Sequence, residues 1–101
     1  MQIFDCKTMA SYPYGQRDKN VFYKAKEFKA RITELKPGEE MPKCDMASYV
    51  IFYVVEGIAE VMVNQGKASI KVGQCLISEP ATLSMKTDRG VKIVGIQIIK
   101  N

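Results

Sequence analysis

Cys44 and Met46 bring two soft sulfur donors to positions i and i+2, the same face of an extended chain. A pair of this kind can favour copper(I). The plainer reading is that a small and a flexible hydrophobe fill space, which cysteine and methionine both do well. Two sulfurs without a third donor make a weak metal site. As a nucleophile, Cys44 has a cation (Lys43) and an anion (Asp45) as sequence neighbours, and no base to take its proton. The chain contains no histidine, the side chain most used for proton transfer and metal ligation near neutral pH. No catalytic residue, metal or other cofactor is therefore expected, and a soft-metal or thiol site at Cys44 and Met46 is the alternative.

These residues must be held by strands. The longest apolar run, Tyr49 to Val55, is rich in Val, Ile, Tyr and Phe and ends at Glu56-Gly57. It is too short and too β-branched for a buried helix and reads as a strand covered on both faces. Upstream, Phe28, Ala30 and Ile32 alternate with Lys29, Arg31 and Thr33. Downstream, Ala59, Val61 and Val63 alternate with Glu60, Met62 and Asn64, and Ala68, Ile70 and Val72 with Lys67, Ser69 and Lys71. Turns are expected at Pro37-Gly38, Asn64-Gln65-Gly66, Gly73-Gln74, Glu79-Pro80-Ala81 and Asp88-Arg89-Gly90. Cys75 to Ser78 and Thr82 to Thr87 read as short strands, with Cys75 a core residue. Val91 to Lys100 closes the chain, apolar on both faces, and is expected to need cover such as a second subunit gives. Tyr53 and Gln97 could each serve a ligand, a backbone group or a subunit contact. No 3.6-residue period persists over a useful length. Short strands with turn signals roughly every 8–12 residues give an all-β antiparallel fold.

At 101 residues the chain is one domain. Residues 1–20 show little period, and Ser11 to Asp18 reads as a loop. This N-terminal loop or strand segment is expected to pack on a barrel domain spanning 21–101. Lys and Arg outnumber Asp and Glu by 15 to 11, and the excess is spread out. Its densest piece, Lys24, Lys26, Lys29 and Arg31, reads as a charged outer strand face rather than a nucleic-acid site. No apolar run is long enough for a transmembrane helix, and the N-terminus lacks the apolar core of a signal peptide. The three cysteines, Cys6, Cys44 and Cys75, suit free thiols in a reducing cytoplasm better than a disulfide framework.

The order of these pieces resembles the cupin superfamily, a small jelly-roll β-barrel with two sequence motifs. The first family motif runs from a glycine through His-x-His and a glutamate to a second glycine. Its spacing fits Gly38 to Gly57 without a gap, including Pro37-Gly38-Glu39-Glu40 and Ile51-Phe52-Tyr53-Val54 with Glu56-Gly57. The second motif starts at Gly73. The resemblance spans about residues 28–99 and implies an antiparallel jelly-roll barrel. Its metal ligands do not carry over. Cys44 and Met46 stand at the two histidines, Val50 at the glutamate and Ser84 at the last histidine, and the Pro-x-Gly is displaced, reading Glu79-Pro80-Ala81. A divalent ion bound by imidazole and carboxylate has no such donors here.

If Ser84 points inward as the family's histidine does, Thr82 and Lys86 follow it. A lysine lining a half-apolar cavity could hold an anion or form an imine. Hydrophobic periodicity instead turns Leu83 and Met85 inward, so the two arguments disagree about register, and Lys86 is expected near the rim, reaching solvent. The cavity residues expected on this basis are Cys44, Met46, Ser48, Val50, Phe52, Ser84 and Lys86. The implied protein is a cytoplasmic, homodimeric, cupin-like barrel. It would bind or sense a small molecule without catalysis and would engage neither nucleic acid nor membrane. An enzyme centred on Cys44 and Met46, and a structural or interaction subunit with a filled barrel, are the alternatives.

Overall fold

A computed structural model of the chain describes residues 1–99. The expected last strand and barrel domain extended further, and Lys100 and Asn101 lie outside the described residues. Eight strands follow a short 3-10 helix, Tyr14–Asn20: β1 (Val21–Lys24), β2 (Phe28–Leu35), β3 (Glu40–Met46), β4 (Val50–Val63), β5 (Gly66–Lys71), β6 (Cys75–Ser78), β7 (Ala81–Lys86) and β8 (Val91–Ile98). All pairings are antiparallel. The sheet runs β1-β2-β8-β4-β7-β3, with β5 and β6 also paired to β4. The fold is an all-β antiparallel jelly roll.

β4 makes the sheet curl. Its first half pairs with β8 and β6, and its second half with β5 and β7. The strand expected to end at Glu56-Gly57 continues to Val63 through a bulge there, since the register on β8 slips between Val54 and Glu56. An extra residue on one strand bends it without reversing it. Gly57 supplies the bend with φ +82°, and a Cβ there would overlap the Gly90 carbonyl. Behind the bulge, Thr87 donates its hydroxyl to the Ile58 carbonyl at 2.6 Å and accepts from the Gly90 N–H at 2.9 Å.

The core lies between the two halves of the curl. Val54, Val61, Leu83 and Ile93 are all but sealed from solvent, with Val50, Phe52, Ala59, Ile70 and Met85 around them. Each fully buried Val, Leu or Ile contributes about 1.5–3 kcal/mol. One face of the Tyr49–Val55 run (Val50, Phe52, Val54) enters this core, whereas Tyr49 and Tyr53 on the other face remain about half exposed. The run is therefore covered on one face within the protomer. Cys75 is exposed rather than part of the core; it is Leu76 that packs inward.

Cys44 and Met46 do lie on a strand, β3, and the stretch read as a loop has structure. β3 escaped a periodicity argument because it is a polar edge strand, paired only to β7 and broken by a register slip between Met41 and Cys44. Pro42 sits in that irregularity, where its missing N–H is tolerated. Ser11 to Asp18, read as a loop, runs into the 3-10 helix. The buried Asn20 side chain fixes it, accepting from the Tyr12 N–H at 2.7 Å and donating to the Tyr12 carbonyl at 3.0 Å. The preceding residues lie across the outside of the sheet. Phe4 packs its ring 4.9 Å from that of Phe22, and the buried Lys92 ammonium donates to the Lys7 carbonyl at 2.7 Å. No helix of the described residues is long and apolar enough to cross a membrane.

Candidate binding cavity

A cavity of about 100 Å³ opens inside the curl at one end of the sheet. Its first wall is read from the register. Lys29, Gln97 and Val50 form one row across β2, β8 and β4, and Arg31, Gly95 and Phe52 form the next. The row beyond, Thr33, Ile93 and Val54, closes into the sealed core. Facing it, Met41, Cys44 and Met46 of β3 and Leu83 of β7 form a sulfur-rich apolar wall. Tyr14 and Arg17 of the 3-10 helix reach the same cavity. Arg17 lies 4.5 Å over the Tyr14 ring and donates to the Tyr14 carbonyl at 3.2 Å, which fixes both side chains together.

The alternation on β2 is inverted relative to a charged outer strand face. Lys29, Arg31 and Thr33 line the cavity, while the buried Ala30 and Ile32 stand outside the main core cluster. Ala30 and Ile32 share the opposite face of the sheet with Val94 and Ile96, on the side that the N-terminal segment crosses. The basic run is thereby split: Lys24 and Lys26 are exposed, and Lys29 and Arg31 turn inward.

Of the expected cavity residues, Cys44, Met46, Val50 and Phe52 line this space. The Cys44 Sγ lies 3.6 Å from the Met46 Sδ, as spacing on one strand face requires. Ser48 does not line it; it is half-buried in the turn between β3 and β4. Ser84 and Lys86 are also elsewhere, on the outer face of β7, because Leu83 and Met85 take the inward positions. Pro80 explains the discrepancy. It stands one residue later than the family spacing, and a one-residue slip exchanges the two faces of a strand. Lys86 places its ammonium 3.4 Å from Glu60, which Lys67 also approaches at 3.6 Å. That is a surface ion-pair cluster on the outside of the sheet.

Besides Gln97, the lining residues absent from the expected cavity set are Tyr14, Arg17, Lys29, Arg31, Thr33, Met41, Leu83, Gly95 and Ile96. The polar stripe on β2 was the available signal, but period two leaves open which face turns inward. Gln97 does line the cavity, whereas Tyr53 lies on the opposite, half-exposed face of β4.

No protein-family model matches the sequence, and no curated protein does. Solved structures match its shape. The protein TT1209 from Thermus thermophilus superposes with a TM-score of 0.83 at 17% identity over 100% of both chains. A cupin superfamily protein from Desulfitobacterium hafniense gives 0.73 at 11% identity, covering 79% of this chain and 74% of that one. An RmlC-like cupin family protein with a double-stranded β-helix fold, from Methanocaldococcus jannaschii, gives 0.73 at 14% identity, covering 78% and 76%. This chain has the cupin fold.

Identities this low carry the architecture and not an activity. The cupin framework does allow the metal question to be asked of the side chains. At the first motif's ligand positions stand a thiol, a thioether and the Val50 alkyl group. At the last, Ser84 faces away, and counting from Pro80 gives the buried thioether of Met85. This donor set does not fit a divalent ion held by imidazole and carboxylate. Among the described residues, no group of three or more Cys, Asp or Glu side chains converges as a metal site would need.

Proposed function

We propose that this cupin-fold chain is a non-catalytic small-molecule binding or sensing protein that uses the cavity between β2, β8 and β4 on one side and β3 and β7 on the other. The observation that carries this reading is the chemistry of the wall where cupin ligands would sit. Cys44, Met46 and Val50 offer sulfur and carbon surface around an open volume, the composition of a pocket that holds an apolar body. A thermal-shift screen of metabolite-sized compounds tests it, with Cys44→Phe as the filled-cavity control. Compounds that stabilise the parent protein and not Cys44→Phe support the reading. A screen without such compounds favours an interaction subunit with no ligand.

The working form is proposed to be a cytoplasmic homodimer. Tyr53, Ile77 and Ile98 share the outer face of β4, β6 and β8, at 47%, 68% and 39% exposure, beside Ile51 and Ile96 on the same face. A second copy laid on this face would remove a contiguous apolar surface from water. The free cysteines Cys6, Cys44 and Cys75 suit a reducing compartment.

One observation favours a second reading, an enzyme or carrier with a soft metal. The 3.6 Å separation of the Cys44 and Met46 sulfurs would let both bind one copper(I) ion. Competition against a colorimetric copper(I) chelator decides it. Stoichiometric copper lost on Cys44→Ala would support the metal, and no retained copper would remove it.

A further inference from the structure

The cavity has two chemically different walls, and among the described residues the cationic one has no internal counter-charge. Arg17, Lys29 and Arg31 reach the cavity, and among the described residues no carboxylate lines it. The Arg31 Nε is buried and lacks a hydrogen-bond partner among the described residues. The anion facing Arg31, Asp18, is 3.9 Å from its guanidinium on a fully exposed side chain, where water screens the pair and competes with it. Lys29 makes no ion pair among the described residues. A buried donor of a charged fork left without an acceptor is costly, so its upkeep points to an acceptor supplied from outside.

Resting on the cavity-binding reading above, we infer that the ligand is a small organic anion, a monocarboxylate with a short apolar body. The body lies against Met41, Cys44, Met46 and Leu83, and the carboxylate turns to Arg31, whose planar fork matches its two oxygens. Lys29 and Arg17 add positive potential beside it. Gly95, between Arg31 and Phe52 in the register, keeps that approach free of a side chain. Size sets the length of the chain. An apolar cavity of about 150 Å³ holds benzene, so about 100 Å³ takes a body of four or five heavy atoms.

Titration calorimetry with pentanoate, 1-pentanol and pentylamine tests the inference. Pentanoate is expected to bind at least about tenfold more tightly than pentanol, the range of a charge-assisted contact, and pentylamine more weakly than either. Arg31→Gln should bring pentanoate down to the level of pentanol and leave pentanol unchanged, while Arg31→Lys keeps part of the preference. Equal binding of acid and alcohol, or an acid preference that survives Arg31→Gln, overturns the anion assignment and leaves the cavity reading standing. No binding of any of the three at about 10 mM, a concentration above the weakest affinities of interest, overturns both. If Arg31→Gln does not fold, the Arg17→Gln and Lys29→Gln double variant serves in its place. It is expected to weaken pentanoate alone, and equal loss of acid and alcohol counts against the inference.

Discussion

Arg31 and Phe52 flank Gly95 from opposite sides: each is its register partner, one on β2 and the other on β4. A Cβ at position 95 would lie 3.4 Å from the Phe52 ring. The glycine thus brings a cationic strand and an aromatic ring to the same cavity with no side chain between them. The substitution Gly95→Ala makes ordinary contact with the ring and is expected to shift stability by less than about 1 kcal/mol. Gly95→Leu projects into the cavity and should abolish small-molecule binding while the far-ultraviolet circular dichroism stays β-rich. Ligand binding retained by Gly95→Leu would place the site elsewhere.

Two glycines with the same left-handed backbone should respond differently to alanine. Gly57 and Gly73 have φ of +82° and +83°, but only Gly57 has backbone in the path of a Cβ. Gly73→Ala is expected to cost about 1 kcal/mol from backbone conformation alone. Gly57→Ala adds displacement of the Gly90 carbonyl and should cost about 2–4 kcal/mol in total. Urea denaturation measures both. Equal costs would mean that the bulge of β4 can relax.

The register of β7 makes a sharp contrast between neighbours. Leu83, 1% exposed, should lose about 2–5 kcal/mol on truncation to alanine. Lys86→Ala removes an exposed ion pair with Glu60 and should change stability by less than about 1 kcal/mol. Ser84→Ala is expected to be as mild, and to leave small-molecule binding intact. A larger loss at Ser84 or Lys86 than at Leu83 would reverse the assignment of the two faces.

The dimer reading is checked by sedimentation. The parent protein should run as a dimer at about 20 μM if the outer sheet face buries a standard interface of about 800 Å² per partner. Ile77, 68% exposed, can take Ile77→Glu without touching the core. That variant should run as a monomer with its circular dichroism retained. A monomeric parent, or a dimer unaffected by Ile77→Glu, counts against this face.

The Asn20 clamp should anchor the segment that carries Tyr14 and Arg17. Asn20→Ala removes two hydrogen bonds to Tyr12 in a buried setting and is expected to cost about 1–3 kcal/mol. Hydrogen exchange should accelerate most at residues 11–20. Faster exchange throughout β4 and β8 instead would show that the segment is part of the core and not attached to it.

Much of this protein is written in local pattern. Period two in β2, β5 and the second half of β4, β-branched enrichment in Tyr49 to Val55, and glycines at the turns define short antiparallel strands by themselves. The spacing from Gly38 to Gly57 carries the cupin resemblance, and the absence of histidine shows without any coordinates that the usual ligand set is missing. Three things needed the closed sheet. Alternation says that the two faces of β2 differ but not which one turns inward; curling around the bulge of β4 turns Lys29, Arg31 and Thr33 into the cavity. The one-residue displacement at Pro80 exchanges Ser84 for Leu83 and Met85, since a strand's faces swap with every residue. β3, polar and at the edge, shows by its own spacing only the Cys44 and Met46 pair, and pairing with β7 is what extends the strand from Glu40 to Met46. A side-chain period is a property of the chain, but inside and outside exist only once the sheet closes on itself.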